Sequence, residues 1–140
     1  MPDTPVVYGQ FGQALGLAER TLSAILREHL APRNTVPEAW YALRVLATRG
    51  PAYPRAELTH LLEGPGFDAD AAQSLVARLQ ADGLIHGDVE LDLTLAGEAQ
   101  YQSLREYISG PSVQLLSQFD VNDIETTVRT LQAITARATT

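Results

Sequence analysis

Lysine and cysteine are both missing from this chain of 140 residues, and aromatic side chains make up only 6% of it. The lack of cysteine excludes disulfides, thiol catalysis and thiolate metal sites, and it fits a reducing cytoplasm. Long apolar runs are lacking too: no stretch approaches the roughly 18 residues that a membrane span needs. The opening M-P-D-T-P-V-V-Y-G-Q places an acid and two prolines where a secretory leader carries positive charge and an apolar run. A soluble, cytoplasmic protein without membrane contact is the expectation.

Catalytic constellations are absent as well. His29, His60 and His86 fall in a long helix, a short helix and a strand end, with no paired spacing of the H-E-x-x-H kind. Gly64-Pro65-Gly66 is followed by no Lys or Ser/Thr at phosphate-loop spacing and reads as a turn. Neither an enzyme nor a metal site nor a cofactor is expected. There is no internal repeat and no low-complexity tract, and the length is that of one domain able to bury a core without staples.

What is present begins with acid. Ten arginines face seventeen carboxylates, for a net charge of −7. The excess is unevenly placed: residues 1–50 carry five Arg against four acids, residues 51–98 two against nine, and residues 99–140 three against four. A duplex backbone repels the middle segment, because sequence-independent affinity for DNA comes chiefly from neutralising phosphates.

The patterning of that middle segment is the clearest in the chain. Asp68 is placed as an N-cap, Leu75, Val76 and Leu79 recur on one face, and Gly83 stands where a left-handed stop is needed. A helix over residues 69–82 follows. Leu84-Ile85-His86 and Val89 to Leu93 flank Gly87-Asp88, which predicts a hairpin with a two-residue turn whose first residue has positive φ. Strand alternation then turns Val89, Leu91 and Leu93 inward and Asp88, Glu90 and Asp92 outward. Helix, hairpin and following helix make the frame of a winged helix-turn-helix, within a mainly α fold.

Around this frame the helical periods are long. After a loose arm before about Tyr8, the residues Phe11, Leu15, Ala18, Leu22, Ile25, Leu26, His29 and Leu30 repeat at helical spacing up to Pro32. Such a stripe exceeds what a small lobe can cover and implies a partner subunit. Thr35 to Glu38 has capping-box spacing and opens a helix that turns Trp40, Leu43 and Leu46 inward, stopped by Gly50-Pro51. Tyr53 adds a short strand to the wing, and Pro54 to Leu62 forms a helix with Leu58, Leu61 and Leu62 on its apolar side. Thr94 caps a helix bearing Tyr101, Leu104, Tyr107 and Ile108, which Gly110-Pro111 is expected to break. Asp120 starts the last helix, with Asp123 three residues on, Phe119 and Ile124 as a hydrophobic staple, and Ile124, Val128, Leu131 and Ile134 or Thr135 as its stripe.

A helix ending S-L-V-A-R-L-Q-A-D-G-L-I, followed by a strand closing on L-T-L-A-G, resembles the multiple-antibiotic-resistance regulator (MarR) family of bacterial transcription factors. The resemblance covers most of the chain and implies one MarR-like domain over residues 1–140. Its parts would be an N-terminal dimerisation helix (8–31), a winged helix-turn-helix lobe (35–98) and C-terminal dimerisation helices (99–140). One departure is large: where the family has a longer wing with a basic tip, this chain has D-V-E-L-D.

The resemblance implies a homodimer that regulates transcription by binding operator DNA. With Leu75, Val76 and Leu79 buried, a 3.6-residue period places Asp70, Ser74, Ala77 and Ala81 on the opposite face, with Gln73 and Arg78 beside them. Gln73, Ser74 and Arg78 are therefore the candidate readers, since Gln and Arg match adenine and guanine edges, and Arg55 is the further positive group. The carboxylates of the wing make binding to double-stranded DNA weak. Family members also bind small aromatic or phenolic effectors, which implies a crevice walled by Phe11, His29, Trp40, Tyr41, Tyr53 and Tyr107; the same aromatics could instead fill a dimer core. The rival reading is a winged-helix module that binds a protein or a ligand and has weak or lost DNA binding.

Overall fold

The computed structural model describes residues 4–139, and the contacts divide the chain into two compact units, one ending at Arg105 and the other beginning at Glu106. In chain order the elements are α1 (Val6–Leu30), α2 (Pro37–Arg49), β1 (Tyr53–Pro54), α3 (Arg55–Leu62), α4 (Ala69–Ala81), β2 (Ile85–Gly87), β3 (Glu90–Leu93), α5 (Leu95–Leu116) and α6 (Val121–Ala138), with a short 3-10 turn at Ala31–Arg33.

The strongest sequence pattern gives the best-defined element. Asp68 caps α4 by accepting from the Ala71 N–H at 2.9 Å, and Ala72, Leu75, Val76 and Leu79 are buried along one face. Burying a leucine or valine of this kind contributes about 1.5–3 kcal/mol. The helix ends in a Schellman motif: Gly83, at φ 78°, donates to the Gln80 carbonyl, and Leu84 donates to that of Leu79, both at 3.0 Å. The chain leaves in a fixed direction, straight into the wing.

Thr94 then locks the far end of the wing to that exit. Its hydroxyl donates to the Gly83 carbonyl at 2.6 Å, its N–H donates to the Leu84 carbonyl at 3.0 Å, and its oxygen accepts from the Gly97 N–H at 3.0 Å as the cap of α5. Gly97 sits so close to the Leu84 carbonyl that a Cβ there would overlap the oxygen. The G-L-I and L-T-L-A-G strings are thus the two halves of one joint, and their residue types follow from steric and hydrogen-bonding demands.

The sheet has the order β1-β3-β2, antiparallel throughout, with Tyr53 opposite Leu91 and Ile85 opposite Leu93. Its register differs from expectation. Gly87 has the expected positive φ of 115°, but it pairs with Leu91, so Asp88, Val89 and Glu90 lie between paired positions instead of a two-residue turn. Val89 accordingly moves from the inward face to the tip, where it is 76% exposed. Asp92 is half-buried and accepts from the Ala52 N–H at 2.7 Å, holding the loop before β1 against the sheet.

Other expectations shift for local reasons. The first helix starts at Val6, so residues 6–8 are helical, not a loose arm; the earlier part of that arm, residues 1–3, lies outside the described residues. Thr35 does not close a capping box: Pro37 opens α2, Val36 is the N-cap without a side-chain bond, and the Thr35 hydroxyl donates to the Arg33 carbonyl. Glu38 instead meets Arg27 of α1 at 3.1 Å. Leu61 is 50% exposed, because α3 is short and Leu58 and Leu62 alone face the core.

Pro111 does not end its helix. α5 runs through it to Leu116, since a proline removes one ladder bond while its neighbours keep theirs. In the second unit, α6 is capped by Asp120, which accepts from the Asn122 N–H at 2.7 Å, and it buries none of its residues.

Candidate nucleic-acid interface

The exposed face of α4 carries three of the four residues expected from the sequence to read DNA. Gln73, Ser74, Ala77 and Arg78 are all exposed, opposite the buried Ala72, Leu75, Val76 and Leu79. The helix is held at both ends, by the Asp68 cap and by the Thr94 joint, so these side chains project from a rigid element. Asp70 is exposed in its first turn, where a carboxylate suits the helix dipole but opposes a phosphate.

Arg55 occupies a different position from the other candidates. Its backbone N–H donates to the Val89 carbonyl at 2.8 Å, its Nε to the Asp88 carbonyl at 2.6 Å, and its Nη2 to Gln80 Oε1 at 2.7 Å. Gln80 in turn donates through Nε2 to the Gly87 carbonyl at 2.6 Å. Arg55 and Gln80 therefore clamp the wing turn onto α4. A guanidinium already committed to these acceptors has less to offer a phosphate, which leaves Arg78 as the exposed arginine of residues 51–98. Gln80 carries no periodic or motif signal, so only the folded chain reveals its role.

The aromatic candidates disperse. Trp40 is buried and stacks on Tyr101, with centroids 5.4 Å apart and an interplanar angle of 8°. Arg44 lies over both Trp40, at 5.9 Å, and Tyr41, at 5.3 Å. Tyr53 is buried in β1 against Leu91. Phe11 is 42% exposed on α1, His29 is half-buried near the end of α1, and Tyr107 belongs to the second unit. None of these six lines the pocket of about 650 Å³ that opens beside α2, β3 and the first turns of α5. Tyr101, expected only as one of the residues borne by the helix after Thr94, does line it.

Among the described residues no group of three or more His, Asp or Glu is placed to hold a metal ion, and no helix is long and apolar enough to cross a membrane.

No protein-family model matches the sequence, and a search of curated proteins finds none similar to it. Solved structures, in contrast, match over nearly the whole chain. A MarR family protein from Bacillus stearothermophilus is 21% identical with a TM-score of 0.73, covering 96% of each chain. A MarR family protein from Mycobacterium tuberculosis in complex with DNA is 18% identical with a TM-score of 0.71, covering 94% of this chain and 98% of its own. The reduced form of MarR from Escherichia coli is 17% identical with a TM-score of 0.70, covering 94% of this chain and 93% of its own. With the six α-helices and three-stranded wing sheet of its described residues and the joint between G-L-I and L-T-L-A-G, the chain has the winged-helix fold of the MarR family.

Proposed function

We propose that this protein is a non-enzymatic transcriptional regulator of the MarR type, which binds operator DNA as a homodimer and responds to a small-molecule effector. The observation that carries the reading is α4: a capped, doubly anchored helix with Gln73, Ser74 and Arg78 exposed beside a wing. The neighbour from M. tuberculosis solved with DNA supports it, as do structures of that protein with salicylic acid and p-aminosalicylic acid. Dimerisation is supported by α1 and α6, which leave Phe11, Leu15, Leu22, Val128 and Ile134 between 40% and 50% exposed. Apolar stripes of that extent mark interaction surfaces.

A second reading is favoured by charge. Residues 51–98 hold nine acids against two arginines, and Arg55 is one of the two and is clamped. A lobe of this kind fits a winged-helix module that binds a protein or a ligand and has weak or lost DNA binding.

An electrophoretic shift against the DNA flanking the gene, run across salt concentrations, separates the two. A helix-turn-helix dimer with six to ten phosphate contacts has a log K against log salt slope of roughly −5 to −9. Here the slope is expected to be shallower than about −4, with binding lost in Arg78→Ala and strengthened in the double variant Asp88→Asn, Glu90→Gln. Nanomolar binding with a steep slope would refute the charge analysis. If even the neutralised wing binds no DNA at low salt, the regulator reading gives way to the interaction module.

A further inference from the structure

We propose that the pocket beside α2, β3 and α5 binds a small organic cation with an apolar body. The pocket measures about 650 Å³, within the range of small-molecule sites. Its apolar walls include Leu46, Pro51 and Leu93, and its charged walls are Asp92 and Glu98. No Arg or His is among the described residues that line it.

The sign of the charge selects the ligand. A carboxylate or phenolate would enter against two like charges, whereas an ammonium is attracted by both. Asp92 cannot readily swing out of the way, because its Oδ1 accepts from the Ala52 N–H at 2.7 Å. Glu98 stands exposed in the first turn of α5. Tyr101 adds an aromatic ring, a surface to which cations are attracted. A bare metal ion suits the site poorly, since it would leave the apolar walls unused.

The location gives such a ligand a consequence. Asp92 and Leu93 belong to β3, so an occupant touches the base of the wing as well as α2. Under the regulator reading, on which this consequence rests, the cation is the effector class; binding itself does not depend on that reading.

The test uses two ligands of similar size and opposite charge, benzyltrimethylammonium and benzoate, titrated into the full chain. Trp40 is the single tryptophan and stacks on Tyr101 of the pocket wall, so its fluorescence reports occupancy, with calorimetry as a second measure. The cation is expected to bind saturably with Kd in roughly the 10 μM to 1 mM range, and benzoate at least about tenfold more weakly. Glu98→Gln, and Asp92→Asn, which keeps an acceptor for Ala52, should each weaken the cation about threefold, with melting by circular dichroism unchanged. Equal or tighter binding of benzoate, no saturable binding of either ligand, or unchanged cation affinity in a variant carrying both Glu98→Gln and Asp92→Asn overturns the proposal. An electrophoretic shift run in parallel keeps the two readings apart. Cation uptake without any DNA binding leaves the pocket standing and removes the regulator; DNA binding without cation uptake does the reverse.

Discussion

Helices α4 and α6 begin alike and end differently. Each opens on an aspartate whose side chain accepts a backbone N–H, Asp68 from Ala71 and Asp120 from Asn122. Each carries an apolar stripe at helical spacing. Yet α4 buries Ala72, Leu75, Val76 and Leu79, while no residue of α6 is buried and Val128 and Ile134 are 45% and 46% exposed. Periodicity therefore identifies which face of a helix is apolar, and says nothing about whether the same chain covers it. In α4 the cover comes from α2, α3 and the wing; in α6 the stripe stays exposed.

The largest effect should come from removing a side chain on each stripe. Leu79→Ala is expected to lower the stability of the folded chain by about 2–5 kcal/mol in urea unfolding, through lost burial and the cavity left behind. Val128→Ala should cost less than about 0.5 kcal/mol in dilute protein. If α6 lines a subunit interface, that cost should grow with protein concentration, because only the assembled state loses the contact. A large loss at Val128 that does not vary with concentration would mean that the chain covers this stripe itself.

A smaller effect probes the joint that α6 has no counterpart for. Gly97→Ala forces a methyl group into the Leu84 carbonyl and should cost about 1–3 kcal/mol by overpacking. Gly12→Ala, inside α1 with nothing within 4 Å of its added Cβ, should be neutral or slightly stabilising, as expected where alanine replaces glycine in a helix. Thermal unfolding of the pair is the check, and equal melting temperatures would show that the joint yields without strain.

The smallest effect compares the two caps directly. Asp68→Ala should cost about 1 kcal/mol, the usual value of an N-cap, and Asp68→Asn should recover most of it. Asp120→Ala should have no more effect than this, since the helix it starts has no buried face to position. Hydrogen exchange of the first-turn amides of α4 and α6 would resolve the difference, and a greater loss of protection at α6 would contradict the ranking.

Much of the fold was legible because local signals agreed with one another. Asp68, the Leu75-Val76-Leu79 spacing and Gly83 each pointed to the same helix, and all three behave as read. The hairpin was legible but its register was not. Gly87-Asp88 matches a two-residue turn, yet the three-stranded sheet aligns Gly87 with Leu91 and Tyr53 with Leu91 on its other side, and only the long-range pairing with β1 could set that. Thr35 to Glu38 shows the reverse fault, a local motif overridden when Arg27 of α1 takes up the glutamate.

The candidate site divides the same way. Gln73, Ser74 and Arg78 could be placed from helical period alone, because a buried stripe fixes the opposite face. Arg55 could not: its partners, Gln80 and the carbonyl of Asp88, lie 25 and 33 residues away. The pocket beside α2, β3 and α5 depends likewise on residues from Leu46 to Gln102.

By itself, then, the sequence determined most of the helices, their apolar faces, the caps at Asp68, Thr94 and Asp120 and the acid-rich lobe, since each depends on neighbours within a few residues. Tertiary structure alone decided the wing register, the commitment of Arg55 and the acidic pocket. The physical reason is that hydrogen bonds and cavity walls between distant segments form only once those segments are packed, and no local spacing encodes which acceptor a side chain will then find.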